Sequence, residues 1–111
     1  MSWRVIYLPE VEKDLRELDG SQRILVQKAI KKISQNPLPD SEGGYGKPLG
    51  NHQQIKLAGF LKVKLKGAGL RIVYKLIRTE KEMLVVVIGA RADEEVYHQA
   101  QSRAVKHELQ E

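Results

Sequence analysis

Three consecutive strand patterns, separated by short turns, occupy residues 60–90. Phe60–Lys66 alternates apolar and lysine side chains, and this alternation places the lysines on one face of a strand and the apolar residues on the other. Leu70–Ile77 follows a Gly-Ala-Gly connection, and Met83–Ala90 follows a charged turn. Met83–Ala90 is apolar on both faces, which predicts a central strand. The pattern therefore favours a small sheet built mainly from antiparallel hairpins.

The N-terminal third combines one strand pattern with two helical patterns. Trp3–Leu8 is rich in β-branched and aromatic residues, as strands are, and Pro9 suits the first turn of a helix. Apolar residues then recur at helical spacing on both sides of Asp19-Gly20, which predicts two helices joined by a tight turn. We expect Ser21 to be the N-cap of the second helix.

The remaining segments complete an α+β fold. Pro37–Gly59 is rich in Gly, Pro, Asn and Ser and predicts a long loop without regular structure. Asp93 can cap a last helix that ends near Lys106. A chain of 111 residues suits one domain, so we expect a single domain over residues 1–111. The predicted order is β-α-α-β-β-β-α, an antiparallel-dominated sheet with an N-terminal helical hairpin and a C-terminal helix.

Positive charge is concentrated in the middle of the chain. Residues 43–79 contain eight Lys or Arg residues and no Asp or Glu, although the whole chain carries 14 acidic residues and a formal net charge of +5. Such a region is typical of a site for a polyanion, with phosphate as the usual ligand. The alternative is a solvated strand face, since exposed strands often carry lysine to block edge pairing.

The sequence lacks the residues of several common kinds of site. It has no cysteine, which excludes disulfides, Cys-ligated zinc and iron–sulfur clusters. Its longest apolar run is far shorter than a membrane helix needs, and its first residues lack the apolar segment of a secretory signal. The three histidines do not have metal-ligand spacing, and no nucleotide-binding loop or serine-hydrolase elbow occurs. We therefore expect a cytoplasmic protein without a metal, a cofactor or a membrane contact.

Five cations and one tyrosine remain as candidates for chemistry. They are Lys62, Lys64, Lys66, Arg71, Arg91 and Tyr97. Lysines that lie close together can supply a general base. Arginines bind phosphate bidentately and stabilise the extra negative charge of a transition state, and a tyrosine can stack on a base of single-stranded RNA. The 2′-hydroxyl of RNA would then be the nucleophile, which requires no metal.

Each candidate also has a purely structural interpretation. The strand lysines would form a solvated face, and Arg71 would pair with Glu82 or another strand acid. Arg91 would pair with an acidic residue of the last helix, and Tyr97 would be an aromatic residue at the edge of the core. The residues taken singly leave these alternatives open.

Two ordered motifs resemble a known family. The segment Leu61–Tyr74 resembles the K-x-K-L-R-x-x-G-Y-R-x-V-Y core of the RelE branch of the RelE/ParE toxin superfamily. Val87–Arg91, followed by Glu95-Val96-Tyr97, resembles the closing V-x-x-R…E-V-Y motif of that branch. The opening strand, the helical hairpin and Pro48-Leu49-Gly50 also fit, so the resemblance covers most of the chain and implies the RelE-like fold.

The resemblance implies a toxin of a bacterial type II toxin–antitoxin pair that cleaves mRNA in the ribosomal A site. The products would be a 2′,3′-cyclic phosphate and a 5′-hydroxyl. By the same resemblance, Lys62 and Lys64 would supply the base and phosphate contacts, and Arg71 would hold and neutralise the phosphate. Arg91 would stabilise the transition state or protonate the leaving 5′-oxygen, and Tyr97 would orient or stack on a base.

Other lysines are candidates for contacts with RNA or the ribosome. They are Lys47, Lys56, Lys66 and Lys75. Lys66 stands where the family pattern favours arginine, which keeps the charge but loses bidentate geometry. Leu70 replaces the usual aromatic residue of the motif, which removes a stacking group from that position.

The expected partners are a cognate antitoxin, the ribosome and its mRNA. The antitoxin would dock on an open sheet edge or on the apolar seams of the first two helices. Three alternatives remain: a ParE-like inhibitor of DNA gyrase, a catalytically inactive regulator that binds its antitoxin, and an unrelated basic RNA-binding domain.

Overall fold

The structure is a computed structural model that describes residues 2–52, 55–90 and 92–110. Within these residues it contains three α-helices, a five-stranded sheet and a two-stranded sheet. In chain order the elements are β1 (Arg4–Tyr7), α1 (Pro9–Arg16), α2 (Gly20–Ile33), β2 (Lys47–Pro48), β3 (Asn51–His52), β4 (Ile55–Lys56), β5 (Phe60–Leu65), β6 (Leu70–Ile77), β7 (Glu82–Gly89) and α3 (Asp93–Lys106). Short 3-10 turns cover Asp40–Glu42, Lys66–Ala68 and Arg78–Glu80.

The apolar strand β7 lies inside the five-stranded sheet, whose order is β1-β7-β6-β5-β2. It pairs in parallel with β1 and antiparallel with β6, and the β6–β5 and β5–β2 pairs are also antiparallel. Residues 83–88 are all buried, as expected for a strand that is apolar on both faces. The predicted α+β fold, with an antiparallel-dominated sheet and a central third strand, is therefore confirmed.

The junction between α1 and α2 differs in detail from the prediction. Asp19, not Ser21, is the N-cap of α2, because its carboxylate accepts the backbone N–H of Gln22 at 2.8 Å. The side-chain oxygen of Gln22 accepts the backbone N–H of Asp19 at 3.0 Å, which completes a capping box. Ser21 donates its hydroxyl to Asp19 at 2.7 Å. The prediction of Ser21 as the cap was wrong because only Asp19 has a glutamine three positions later to reciprocate.

The segment predicted to be a loop without regular structure contains short strands. β2 extends the sheet edge beside β5, and β3 pairs with β4. The glycines here allow close packing: a β-carbon on Gly44 would lie 2.0 Å from the carbonyl oxygen of Leu38. One on Gly46 would lie 2.3 Å from the hydroxyl oxygen of Tyr74. Gly44 and Gly46 therefore stand where a side chain would clash. The loop prediction was wrong for β2, β3 and β4.

Helix α3 lies against the sheet through the buried residues Val96, Ala100 and Ala104. Ala92 is its N-cap position, and no side chain caps the helix. The expectation that Asp93 is the cap was therefore wrong, because the Asp93 carboxylate accepts hydrogen bonds from β5 and β6 instead. No helix in the described part of the chain is long and apolar enough to cross a bilayer.

A buried ion pair fixes α3 relative to α1 and β7. Arg103 donates to both carboxylate oxygens of Asp14, at 2.6 Å and 2.9 Å. Arg103 also donates to the carbonyl of Val86 at 2.9 Å, and Asp14 accepts the backbone N–H of Ile88 at 3.0 Å. These contacts join three elements at one point, and they help to set the position of α3 over the sheet.

Candidate active site

Strand register brings candidate cations to one face of the sheet. Lys64 pairs with Arg71, and Lys62 pairs with Val73, across β5 and β6. Side chains of directly paired residues project to the same side of a sheet, so the three cations share a face. The first two turns of α3 lie over this face. We call the group that meets there the cationic cluster: Lys62, Lys64, Arg71, Asp93 and Tyr97.

Direct contacts join the members of the cationic cluster into two groups, Lys62 with Tyr97 and Asp93 with Lys64 and Arg71. Lys62 Nζ donates to Tyr97 Oη at 2.8 Å and lies 5.3 Å from the centroid of that ring. Lys64 Nζ donates to Asp93 Oδ2 at 2.7 Å. Arg71 Nε donates to Asp93 Oδ1, and its Nη1 reaches the carbonyl of Gly69 at 3.2 Å. The structure therefore brings together four of the five residues to which the resemblance assigned catalytic roles.

Asp93 is a site residue that the sequence did not reveal. The hydrogen bond from Lys64, and then the contact with Arg71, hold the pKa of the Asp93 carboxyl below its ordinary value, although partial burial opposes this. Asp93 is therefore ionised at neutral pH and balances part of the charge of the two cations. Its position at the start of a helix suggests a cap, and only the packing of α3 on β5 and β6 shows its real partners.

A concavity of about 290 Å³ adjoins the cationic cluster. Its lining consists of Tyr45, Lys47, Lys62, Val63, Lys64 and Lys66. Lys47 pairs with Lys62 across β2 and β5, so both lie on the same face of the sheet. Tyr45, which the sequence did not single out, is 47% exposed. The available signal was an aromatic residue at the tip of a Gly-rich segment, but its direction depends on the pairing of β2.

Lys66 reaches the concavity by a route that differs from the prediction. The alternating pattern places it on the strand face with Lys62 and Lys64, whereas β5 ends at Leu65 and Lys66 begins a 3-10 turn. It nevertheless lines the concavity with the other lysines. The site therefore presents lysines from β2, from β5 and from the turn that follows β5.

Two of the lysines predicted to contact RNA, Lys56 and Lys75, lie away from the concavity. Lys56 is exposed in β4, where its backbone N–H donates to the side-chain oxygen of Gln101 in the second half of α3. Lys75 pairs with Phe60 in β6, and its Nζ lies 5.0 Å from the centroid of that buried ring. Neither lines the concavity. Arg91, the fifth residue with an implied catalytic role, lies outside the described residues.

The structure bears differently on the purely structural interpretations of Arg71 and Tyr97. Arg71 does not pair with Glu82, because Glu82 accepts from Arg4 and Arg71 donates to Asp93. Tyr97 is partly buried against the core and also accepts a hydrogen bond from Lys62. In the part of the chain that the structure describes, no group of three or more His, Asp or Glu residues is arranged to hold a metal ion.

The chemistry available at this site is the binding of a polyanion next to aromatic rings. The ammonium and guanidinium groups of the cluster are hydrogen-bond donors that match phosphate oxygens. The ring of Tyr97 lies beside Lys62, and Tyr45 lines the concavity together with the strand lysines. Single-stranded nucleic acid, which offers phosphates and bases together, fits this combination.

Comparison with known proteins identifies one curated relative and several solved structures. A protein of Escherichia coli named as a RelE-like toxin is 28% identical over 107 residues, covering 93% of this chain and 98% of the relative. No protein-family model matches the chain.

The solved structures share the fold. A doubly substituted variant of the E. coli toxin RelE in the free state has a TM-score of 0.71 at 22% identity, over 93% of this chain and 98% of that one. The RelBE2 toxin–antitoxin complex of Mycobacterium tuberculosis gives 0.66 at 22% identity, over 84% and 95%. The intact E. coli RelBE toxin–antitoxin complex gives 0.61 at 20% identity, over 82% and 99%. The chain is therefore similar over almost its whole length to a protein named as a RelE-like toxin, and it has the fold of these RelE structures.

Proposed function

We propose that this chain is the toxin of a type II toxin–antitoxin system and acts as a ribosome-dependent endoribonuclease on mRNA. The observation that carries the proposal is the cationic cluster. Lys62, Lys64, Arg71 and Tyr97 come from two strands and a helix, and they meet within hydrogen-bonding distance of one another or of Asp93. Residues that are distant in sequence and that converge in this way are expected at a site for phosphate chemistry.

The reaction uses a hydroxyl of the substrate itself as the nucleophile. The 2′-oxygen attacks the adjacent phosphorus and loses its proton to a base of the cluster, for which Lys62 and Lys64 are the candidates. The bond from phosphorus to the 5′-oxygen breaks, and that oxygen takes a proton from an acid. The products are a 2′,3′-cyclic phosphate and a 5′-hydroxyl, so atoms and charge balance without a metal or a cofactor.

The remaining residues of the proposed site bind and orient the RNA. Arg71 binds the scissile phosphate and stabilises the additional negative charge of the pentacovalent transition state. To do so it exchanges part of its contact with Asp93 for the phosphate. Tyr97 orients Lys62 through their 2.8 Å hydrogen bond and presents its ring to a base. Arg91 keeps the role that the resemblance implies, transition-state stabilisation or protonation of the 5′-oxygen.

A cognate antitoxin is the proposed protein partner. Two of the structural relatives are toxin–antitoxin complexes, and an antitoxin would hold this toxin inactive in the cytoplasm, where its ribosomal target is found. Ile24 and Leu25 on α2 are 54% and 45% exposed, and they offer an apolar surface for a helix-in-groove contact.

Primer extension on mRNA in a reconstituted translation reaction tests the proposed activity. We expect breaks that require both the protein and the ribosome. Lys64→Ala should reduce the rate by about 100-fold or more, because it removes a group that acts on the phosphate. Lys13→Ala is the matched control, since Lys13 is exposed on α1 and lies outside the cluster, and its rate should equal that of the wild type.

An intact message would contradict the nuclease proposal. Inhibition of DNA gyrase supercoiling by the same preparation would then favour the ParE-like alternative. Healthy cells after induction without the antitoxin, together with an intact message, would favour an inactive regulator that only binds its antitoxin.

A further inference from the structure

Tyr45 forms one wall of the concavity beside the cationic cluster. Tyr45 is 47% exposed, and four lysines and Val63 line the rest of the concavity. Lys32 Nζ lies 5.3 Å from the centroid of the ring. An aromatic ring of a partly exposed residue can stack on another flat group while a cation lies over one of its faces.

The backbone around Tyr45 is held on both sides. Its N–H donates to the carbonyl of Asn36 at 3.1 Å, and the Asn36 side chain donates to the carbonyl of Gly43 at 3.1 Å. Gly46 packs so closely on Tyr74 that a β-carbon would clash with the tyrosine hydroxyl. Because the backbone is fixed before any ligand arrives, little ordering cost opposes binding at the ring.

The chemistry of the lining identifies the ligand class. Aromatic rings that stand beside cationic side chains bind single-stranded nucleic acid, because bases stack on the ring while phosphates meet the cations. Lys47 and Lys66 line the concavity, and neither belongs to the cationic cluster. They are therefore available to phosphates that flank the reacting one.

We infer that Tyr45 is a base-binding residue that stacks on a nucleotide of the RNA strand next to the scissile phosphate, while Lys47 and Lys66 bind neighbouring phosphates. This inference rests on the proposed function for its substrate, but base binding itself can be measured without cleavage. Tyr45 and Lys47 would thereby extend the site from one phosphate to a short stretch of single-stranded RNA.

Fluorescence anisotropy at low ionic strength tests the assignment. The probe is a short, labelled oligouridylate with 2′-O-methyl groups, which cannot react through its 2′-oxygens. We expect Tyr45→Ala to weaken binding by about 5- to 150-fold, the range for loss of one base–aromatic stack. Tyr45→Phe should bind like the wild type because it keeps the ring. Tyr7→Ala is the matched control, since Tyr7 is 45% exposed on β1 and lies outside the concavity.

A second probe with the same backbone but no bases separates stacking from charge. The wild type and Tyr45→Ala should bind this probe equally, and circular dichroism should show the same fold for both. The assignment is overturned if Tyr45→Ala binds the oligouridylate like the wild type or if the wild type does not bind it. It is also overturned if Tyr45→Phe loses as much affinity for the oligouridylate as Tyr45→Ala does. The same holds if Tyr45→Ala binds the probe without bases more weakly than the wild type does.

Failure of the proposed function would look different. If the wild type leaves mRNA intact on ribosomes but binds the oligouridylate through Tyr45, the nuclease proposal falls and the base-binding assignment stands. If the wild type cleaves mRNA and Tyr45→Ala binds and cleaves equally well, the assignment falls and the nuclease proposal stands.

Discussion

Asp93 is the residue whose role depends most on the assembled structure. It accepts hydrogen bonds from Lys64 and Arg71, so it holds two of the proposed catalytic cations in a defined arrangement. In the proposed function it would compete with RNA, because a carboxylate and a phosphate accept hydrogen bonds from the same donors. The proposal therefore makes Asp93 a positioning residue that RNA would partly displace.

Asp93→Asn tests this competition. We expect the variant to bind the labelled oligouridylate about 2- to 5-fold more tightly at low salt, a change typical of half-exposed ion pairs, because two cations are released to the RNA. Glu94→Gln is the matched control, since it removes the same charge from the adjacent, 83% exposed side chain. Equal changes in the two variants would mean that net charge alone matters, and weaker binding by Asp93→Asn would mean that orientation of the cations dominates.

At the residue scale, the sequence could identify only those parts of the site that follow from local patterns. Lys62, Lys64 and Arg71 could be found because strand alternation and a short hairpin fix their common face. Asp93 and Tyr45 could not, because the importance of each comes from an element that is remote in sequence. Asp93 depends on how α3 lies across β5 and β6, and Tyr45 depends on the addition of β2 to the sheet edge.

Among the elements, the segment between α2 and β5 is the one that most affects the site. Tyr74 on β6 is fully buried, and its hydroxyl donates to the carbonyl of Pro37 at 2.7 Å. Burial raises the pKa of Tyr74 far above its ordinary value, so the hydroxyl remains a donor throughout the neutral range. This hydrogen bond ties Pro37, at the start of the segment that carries Tyr45, to strand β6.

Tyr74→Phe tests the contribution of this hydrogen bond to stability. We expect a loss of about 1–2 kcal/mol in the free energy of unfolding, because the Pro37 carbonyl is left buried without its donor. Urea denaturation of wild type and variant measures the change. Tyr7→Phe, which alters a 45% exposed tyrosine, should leave the unfolding midpoint unchanged. Equal stability of Tyr74→Phe and the wild type would contradict this role for the hydrogen bond.

At the element scale, the apolar periodicity predicted the long elements. The composition of the segment after α2 led to a wrong prediction for the short strands β2, β3 and β4. Apolar patterns predicted the strands β5, β6 and β7 and the helices α1 and α2, and tertiary contacts reinforce them. In the segment after α2, Gly44 and Gly46 allow close packing, which composition does not distinguish from a structureless loop. The cap of α2 required a choice between two good capping residues, which Gln22 decides.

At the scale of the whole molecule, the positive charge and the contacts that hold the helices in place come from different parts of the chain. Eight basic and no acidic residues lie between positions 43 and 79, and the concavity and most of the cationic cluster are built from this region. The Asp14–Arg103 ion pair lies outside this region and joins α1, β7 and α3. Through α3 it holds Asp93 and Tyr97 over the strand lysines.

The parallel pairing of β1 with β7 is another part of the architecture that the sequence could not predict. An N-terminal strand pattern can join either edge of a sheet, and only packing of the two intervening helices selects one. By contrast, the central place of β7 followed directly from its apolar residues on both faces.

The most direct test of the proposed activity is cleavage of an mRNA that carries a single 2′-deoxyribose at the nucleotide where the unmodified message is cut. In a reconstituted translation reaction, we expect the unmodified mRNA to give a fragment ending in a 2′,3′-cyclic phosphate and the modified mRNA to remain whole at that position. Equal cleavage of both messages would contradict attack by the 2′-hydroxyl, and cleavage of neither would contradict the assignment of the cationic cluster as a ribonuclease site.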